Sequence, residues 1–154
     1  MKDVIKFLKE EDTDFRGRMF SDLVGADDSQ LEQSHDFIQW MFPSDVKSNH
    51  SYAAPVLTPE QIEQMKTDPA VHNALRAGLI RMLVFYTSEW WITPHNHNFK
   101  RITRILRCLW LAGLESEYNS FQTALDRCYE KHGGVIEEKT YQFWKHAKDS
   151  EYFT

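Results

Sequence analysis

Several features that would assign a function directly are missing from this sequence. Its 2 cysteines are too few for a disulfide framework or a four-cysteine zinc site. No apolar run has the length of a signal peptide core or a membrane span, because Arg81 interrupts the best candidate at residues 79–86. A Gly-rich phosphate loop, a Gly-x-Ser-x-Gly elbow and a His-Glu-x-x-His motif are also lacking. We therefore expect a soluble cytoplasmic protein without membrane insertion, with no cofactor and no metal, and an enzyme is the less favoured class.

The rest of the composition is typical of a globular domain. The chain has 154 residues, of which 42% are hydrophobic and 14% aromatic. A chain of this length buries about 70% of its unfolded surface and needs no covalent staples. With only 6 Gly and 5 Pro, helical periodicity dominates, and no segment alternates as a strand would. We predict an all-α fold, a single compact multi-helix domain of about six to eight helices that spans residues 1–154.

Capping signals place the predicted helices. Asp27 or Asp28 can cap a helix that runs to Phe42 and stops at Pro43. Thr58-Pro59 and Asp68-Pro69 each combine an N-cap with proline at the first helical position. The end of the helix that starts at Pro69 is apolar all round, which predicts a central position. The predicted helices cover about residues 2–10, 16–24, 27–42, 69–87, 96–111, 115–132 and 137–148. One more helix starts at Pro59, and residues 43–57 are predicted to form an extended loop.

The net charge of -5 is unevenly distributed. Residues 1–75 carry 7 Lys or Arg and 14 Asp or Glu, whereas residues 76–114 carry 6 and 1. The acidity of the whole chain argues against general coating of nucleic acid, although a local basic face is compatible with it. The simpler interpretation is that the basic middle of the chain pairs with its acidic flanks.

The first polar cluster is the motif at residues 35–43. Within one continuous helix, Leu31, His35, Ile38 and Phe42 would share a face, so His35 would lie in an apolar stripe. Such a histidine is either a hydrogen-bonded core residue or a base or ligand-orienting group. Asp36 would share another face with Trp40 and is expected to pair with a basic residue elsewhere in the chain.

The second polar cluster opens the predicted helix at 96–111. Lys100, Arg104 and Arg107 would share the side opposite the core, with Arg101 on the flank above Cys108. This stripe is either a phosphate-contacting face or a solvated face that meets acidic segments. The cationic flank could lower the pKa of Cys108, but no histidine at a defined spacing supports a thiol nucleophile.

Histidines precede the same helix. His95 and His97 form a His-x-His pair that could reach one metal together with His35 or a distant carboxylate. Two ligands without a third of known spacing are weak evidence, so we predict no metal site. The alternative is that one histidine caps the helix and the other is exposed.

The two motifs, in this order, resemble the conserved domain of the opioid growth factor receptor family. That signature reads roughly His-Asp-aromatic-Ile-Gln-Trp-Leu-Phe-Pro, Ala-Pro-x-Leu-Thr and His-Asn-Phe-Leu-Arg-Ile-Thr-Arg-Ile-Leu. Its counterparts here are residues 35–43, 54–58 and 97–106, followed by Ala112-Gly113-Leu114, within a core of residues 15–148. Met41 and Lys100 replace the expected leucines.

The resemblance implies an all-helical domain and assigns no catalytic residues. It also implies kinship with a vertebrate protein that is nuclear-associated and binds an enkephalin peptide. The acidic and repeated segments of that animal protein are not found here, so a stand-alone domain of microbial origin is expected. Because one fold can host many functions, peptide binding does not follow from the fold resemblance.

Three functional hypotheses follow. The favoured one is a non-enzymatic binding domain for an unknown ligand, a peptide, a protein or a small anion. The second is an enzyme with His35 or His97 as general base and Arg101 as anion clamp. The third is nucleic-acid binding through Lys100, Arg104 and Arg107. The favoured hypothesis places a polar–aromatic site between the two motif helices, built from His35, Asp36, Trp40, His97, Asn98, Arg101 and Arg104.

Overall fold

A computed structural model describes residues 2–48 and 53–149. Within those residues the chain forms nine helices, and an isolated parallel bridge joins Ser44 to Val56. The all-α prediction is therefore confirmed. Residues 49–52 of the predicted loop lie outside the described residues, as do residue 1 and residues 150–154. The helices are α1 (Val4–Leu8), α2 (Phe20–Val24), α3 (Asp28–Gln33), α4 (Ile38–Met41), α5 (Pro59–Thr67), α6 (Pro69–Phe85), α7 (Asn98–Leu111), α8 (Glu115–His132) and α9 (Glu138–Lys145).

Helix α7 is the central element of the fold. It contacts α4, α5, α8 and α9, and it is buried on most of its circumference. Ile102, Ile105, Leu106 and Leu109 have no exposed surface. Because its polar side is also covered, the cations of this helix must find partners inside the protein.

The predicted helix at 27–42 is wrong in its middle. Asp27 caps α3 as predicted and α4 ends just before Phe42, but residues 34–37 are not helical. Ser34 takes extended backbone angles, and its carbonyl accepts a hydrogen bond from Arg101 instead of continuing the helix. As a result His35 is exposed and does not lie in an apolar stripe. The break also raises the number of helices above the predicted range.

The capping predictions for α5 and α6 are confirmed. Thr58 accepts from the Gln61 amide at 3.2 Å, and the Gln61 side chain accepts from the Thr58 amide at 3.0 Å. The Asp68 carboxylate accepts from the Ala70 amide at 2.9 Å, so a single residue ends α5 and caps α6. Pro59 and Pro69 occupy the first helical positions, where the missing N–H costs nothing.

The predicted central position of the end of α6 is wrong. Its inner face, including Leu75 and Met82, is fully buried against neighbours that include α1, α2 and α5. The outer face leaves Ile80 63% and Val84 55% exposed. The helix end has apolar residues on all sides, yet one side faces solvent, because α7 and not α6 occupies the centre of the fold.

The C-terminal helices follow the predicted pattern. Phe121 and Leu125 of α8 are buried, and Trp144 of α9 is buried and donates its indole N–H to the Phe99 carbonyl of α7 at 3.1 Å. None of the helices in the described part of the chain is long and apolar enough to cross a membrane.

Candidate binding site at the junction of the two motifs

Arg101 connects the two sequence motifs. Its guanidinium donates to the Ser34 carbonyl at 2.6 Å and to the Asn98 side-chain oxygen at 3.2 Å, and its charged carbon lies 5.0 Å from the centre of the Phe37 ring. Only 5% of the residue is exposed. Burial lowers the pKa of Arg101, an effect that the nearby Glu32 opposes. The segment at 34–37 is therefore held against the first turns of α7.

Asn98 extends this contact into a buried polar network. The residue has no exposed surface, and its amide nitrogen donates to Glu32 at 3.3 Å and to Asn96 at 2.9 Å. Its side-chain oxygen also accepts from the Tyr86 hydroxyl at 3.3 Å. Burial raises the pKa of Tyr86, so its hydroxyl remains a donor at neutral pH. The network ties α3, α6 and α7 together at one point.

Two histidines lie on the surface above this network. The His97 ring contacts the Glu32 carboxylate through Nε2 and packs edge-on against His35, with 5.5 Å between ring centres. The His97 side chain is 45% exposed, and His35 is exposed as well. His95, by contrast, lies 3.3 Å from Glu137 and is 84% exposed. The structure thus presents His35 and His97 together as an accessible pair.

Asp36 and Trp40 lie apart from this pair. Asp36 forms ion pairs with Arg16 at 3.1 Å and Arg18 at 3.2 Å, which confirms that it has a basic partner. Neither Arg101 nor Arg104 supplies this partner, because both arginines donate to other groups.

Trp40 belongs to an aromatic cluster of the core. It is 3% exposed, and its ring centre lies 5.6 Å from that of Phe7 and 6.0 Å from that of Phe15. Sequence adjacency to the histidine motif therefore did not bring this side chain to the motif junction.

Arg104 anchors the chain that follows α4. Its guanidinium donates to the Ser44 hydroxyl and to the Val46 carbonyl, both at 3.2 Å. The side chain that the sequence assigned to both a ligand site and a phosphate-contacting face is therefore engaged within the protein. Burial also lowers the pKa of Arg104.

Arg107 has an equally complete set of partners. It forms two hydrogen bonds with Asp45, at 2.8 and 3.0 Å, and donates to the Lys148 carbonyl at 2.6 Å. Only 5% of Arg107 is exposed, whereas Lys100 is exposed. The predicted stripe is not a continuous solvent-facing surface, and its pairing with Asp45 matches the prediction that the basic segment meets the acidic flanks. Burial alone would raise the pKa of Asp45. The hydrogen bonds and the positive charge of Arg107 together outweigh burial and hold this pKa below its ordinary value.

Cys108 and the candidate metal ligands are the remaining reactive groups. Cys108 is fully buried, and burial raises its pKa despite the nearby Arg104, so the predicted lowering is wrong. Across residues 2–48 and 53–149, no group of three or more His, Cys, Asp or Glu side chains is placed to hold a metal ion.

Glu32 and Tyr86 complete the network, and the sequence reasoning missed both. Glu32 meets Asn98 across 66 positions of the chain. No local pattern marks such a contact, although a carboxylate one helical turn before His35 is a signal that could have been weighed. Tyr86 is the C-cap of α6, where no local pattern marks a partner for its hydroxyl.

Comparison with known proteins relates the N-terminal part of the chain, with its first motif, to a family. Residues 18–92 match the model of the opioid growth factor receptor conserved region. This segment, 75 of the 154 residues, is similar to that family's conserved region. The matched segment contains the first motif and the whole of α6, while the second motif follows it along the chain.

Full-length relatives support the same assignment. The opioid growth factor receptor of Mus musculus is 32% identical over 104 residues, which cover 55% of this chain and 16% of the relative. The opioid growth factor receptor-like protein 1 of Mus musculus is 32% identical over 109 residues, which cover 59% of this chain and 23% of the relative. The chain thus spans less than a quarter of the length of these curated relatives, and no solved structure matches it.

Proposed function

We propose that this chain is a non-enzymatic binding domain whose ligand contacts the His35–His97 pair. In this proposal the residues of the predicted site have different tasks. His35 and His97 contact the ligand, whereas Asn98 and Arg101 hold the two motifs in register beneath them. Asp36, Trp40 and Arg104 stabilise the surrounding segments through their own partners.

The observation that carries the proposal is the combination of an exposed pair with a rigid support. Two imidazole rings 5.5 Å apart provide aromatic edges and hydrogen-bonding nitrogens to a ligand. The buried Glu32–Asn98–Arg101 network fixes their spacing, which reduces the ordering cost of binding. A short peptide that offers an aromatic side chain and backbone polar groups fits this surface. The mouse relative described above is named a receptor, which agrees with a binding role.

The geometry gives less support to the other hypotheses. An anion clamp requires the Arg101 guanidinium to face a substrate, but it faces the Ser34 carbonyl and Asn98. Phosphate contact requires free donors on Arg104 and Arg107, and these donors serve the segment at 44–46 and the Lys148 carbonyl.

Titration of the isotope-labelled domain, followed by NMR, tests the proposal. The probes are an enkephalin peptide, inorganic phosphate and a mixed-sequence DNA oligonucleotide. We expect the peptide to shift the resonances of His35 and His97, and a His35→Ala/His97→Ala variant to lose the binding. His95→Ala is the matched control, because His95 is a neighbouring exposed histidine outside the pair. Peptide binding that survives the double substitution, or shifts confined to another face, would contradict this assignment.

A further inference from the structure

A cavity lies between the end of α6, the loop that follows it and the C-terminal part of α8. The cavity has a volume of 410 Å³, within the range of about 300–1,000 Å³ that is typical of small-molecule sites. Its wall includes Trp91, Phe121 and Leu125, which are 3%, 3% and 4% exposed. Ile102 of α7 also lines it. The interior is therefore apolar and aromatic, and it is formed by elements other than the His35–His97 pair.

The rim of this cavity carries an excess of positive charge. Lys131 lies 2.9 Å and His132 3.4 Å from the same oxygen of Glu89, so one carboxylate is shared by two basic groups. Arg127, also on the rim, is exposed and makes no hydrogen bond or ion pair with the residues that the structure describes. Apart from His132, the rim carries two cations, Arg127 and Lys131, and one carboxylate, Glu89, which leaves one positive charge.

We propose that this cavity binds a small aromatic carboxylate. The aromatic group packs on the apolar wall at Trp91 and Phe121, where flat rings favour edge and offset contacts. The carboxylate stays at the rim and accepts from the Arg127 guanidinium, whose fork of N–H donors matches a carboxylate. This proposal does not rest on the function proposed above, since neither His35 nor His97 lines the cavity and the ligand chemistry is different.

Cys128 supplies an internal reporter for this cavity. It lines the cavity and is partly exposed, whereas the other cysteine of the chain, Cys108, is fully buried. Alkylation of the native protein by iodoacetamide should therefore modify Cys128 first. A molecule that occupies the cavity covers this thiol and slows the reaction.

The probe is 1-naphthaleneacetate, and 1-naphthaleneacetamide is its neutral match. Calorimetric titration measures binding, and the rate of Cys128 alkylation, read by mass spectrometry, measures occupancy. We expect saturable binding of the carboxylate, weaker binding of the amide and slower alkylation of Cys128 at saturation. Arg127→Gln should weaken carboxylate binding about fivefold, the effect of losing one ion pair at a partly solvated rim, and leave amide binding unchanged.

Two further variants locate the site. Ala124→Trp places a large side chain at an exposed position on the cavity lining and should abolish binding of both probes. Lys139→Gln removes a charge from an exposed position on α9 and should change neither affinity. No saturable binding of the carboxylate would overturn the proposal. So would equal affinity for the two probes, an unchanged affinity in Arg127→Gln, or binding that leaves Cys128 alkylation as fast as before.

Discussion

Replacing Arg101 by alanine should destabilise the fold by an amount that can be estimated from its contacts. The substitution removes two hydrogen bonds from a charged donor, to the Ser34 carbonyl and to Asn98, and each such bond contributes about 1.5–3 kcal/mol. It also removes the cation–π contact with Phe37, which contributes roughly 0.5–2 kcal/mol. The variant no longer has the desolvation cost of a buried guanidinium, and this offsets part of the lost stability.

We therefore expect the free energy of unfolding to fall by about 3–5 kcal/mol, similar to the loss of one partner from a buried ion pair. Urea unfolding followed by far-UV circular dichroism measures this change. Arg101→Lys should show an intermediate loss, because a single ammonium cannot reproduce the planar fork of donors. Arg127→Ala is the matched control, since Arg127 is exposed and its replacement should stay within about 0.5 kcal/mol.

A loss below about 1 kcal/mol for Arg101→Ala, with the denaturant dependence unchanged, would refute this reasoning. It would mean that the segment at 34–37 is held by its apolar contacts and by the ion pairs of Asp36. The Ser34 carbonyl would then find water or another donor at little cost.

Three further predictions concern other parts of the chain. Asp45→Asn should destabilise the protein at pH 7. A carboxylate whose pKa is lowered in the folded state loses its stabilising effect as the pH falls through that pKa, so the difference from wild type should shrink towards acid pH. Urea unfolding from pH 7 to pH 3 measures this difference. A Cβ at Gly78 would lie 3.1 Å from a buried phenylalanine ring, so Gly78→Val should cost about 1–3 kcal/mol in thermal unfolding, and an unchanged melting temperature would contradict this. Ellman's reagent should titrate Cys128 in the native protein and Cys108 only after unfolding, and rapid reaction of both thiols in the native state would disprove the burial of Cys108.

Tertiary contacts account for the places where the sequence prediction failed. The periodicity of residues 31–42 favours one helix, but a hydrogen bond from Arg101, 67 positions away, stabilises a break at Ser34. The break moves His35 from a predicted core stripe to the surface beside His97. Likewise, Lys100, Arg104 and Arg107 share a helix face, yet only the folded chain brings Ser44, Asp45 and Val46 to the two arginines.

The local chemistry of the chain determined the helical class, the caps at Asp27, Thr58 and Asp68, and the apolar face of α7. Those features depend on residues within one or two helical turns, where side-chain type and spacing decide backbone geometry. Only the tertiary structure decided which polar residues are buried supports and which remain accessible. Glu32 lies 66 positions from Asn98, and Tyr86 lies 12 positions before it. These partners of Asn98 become defined only when α3 and the end of α6 pack against α7.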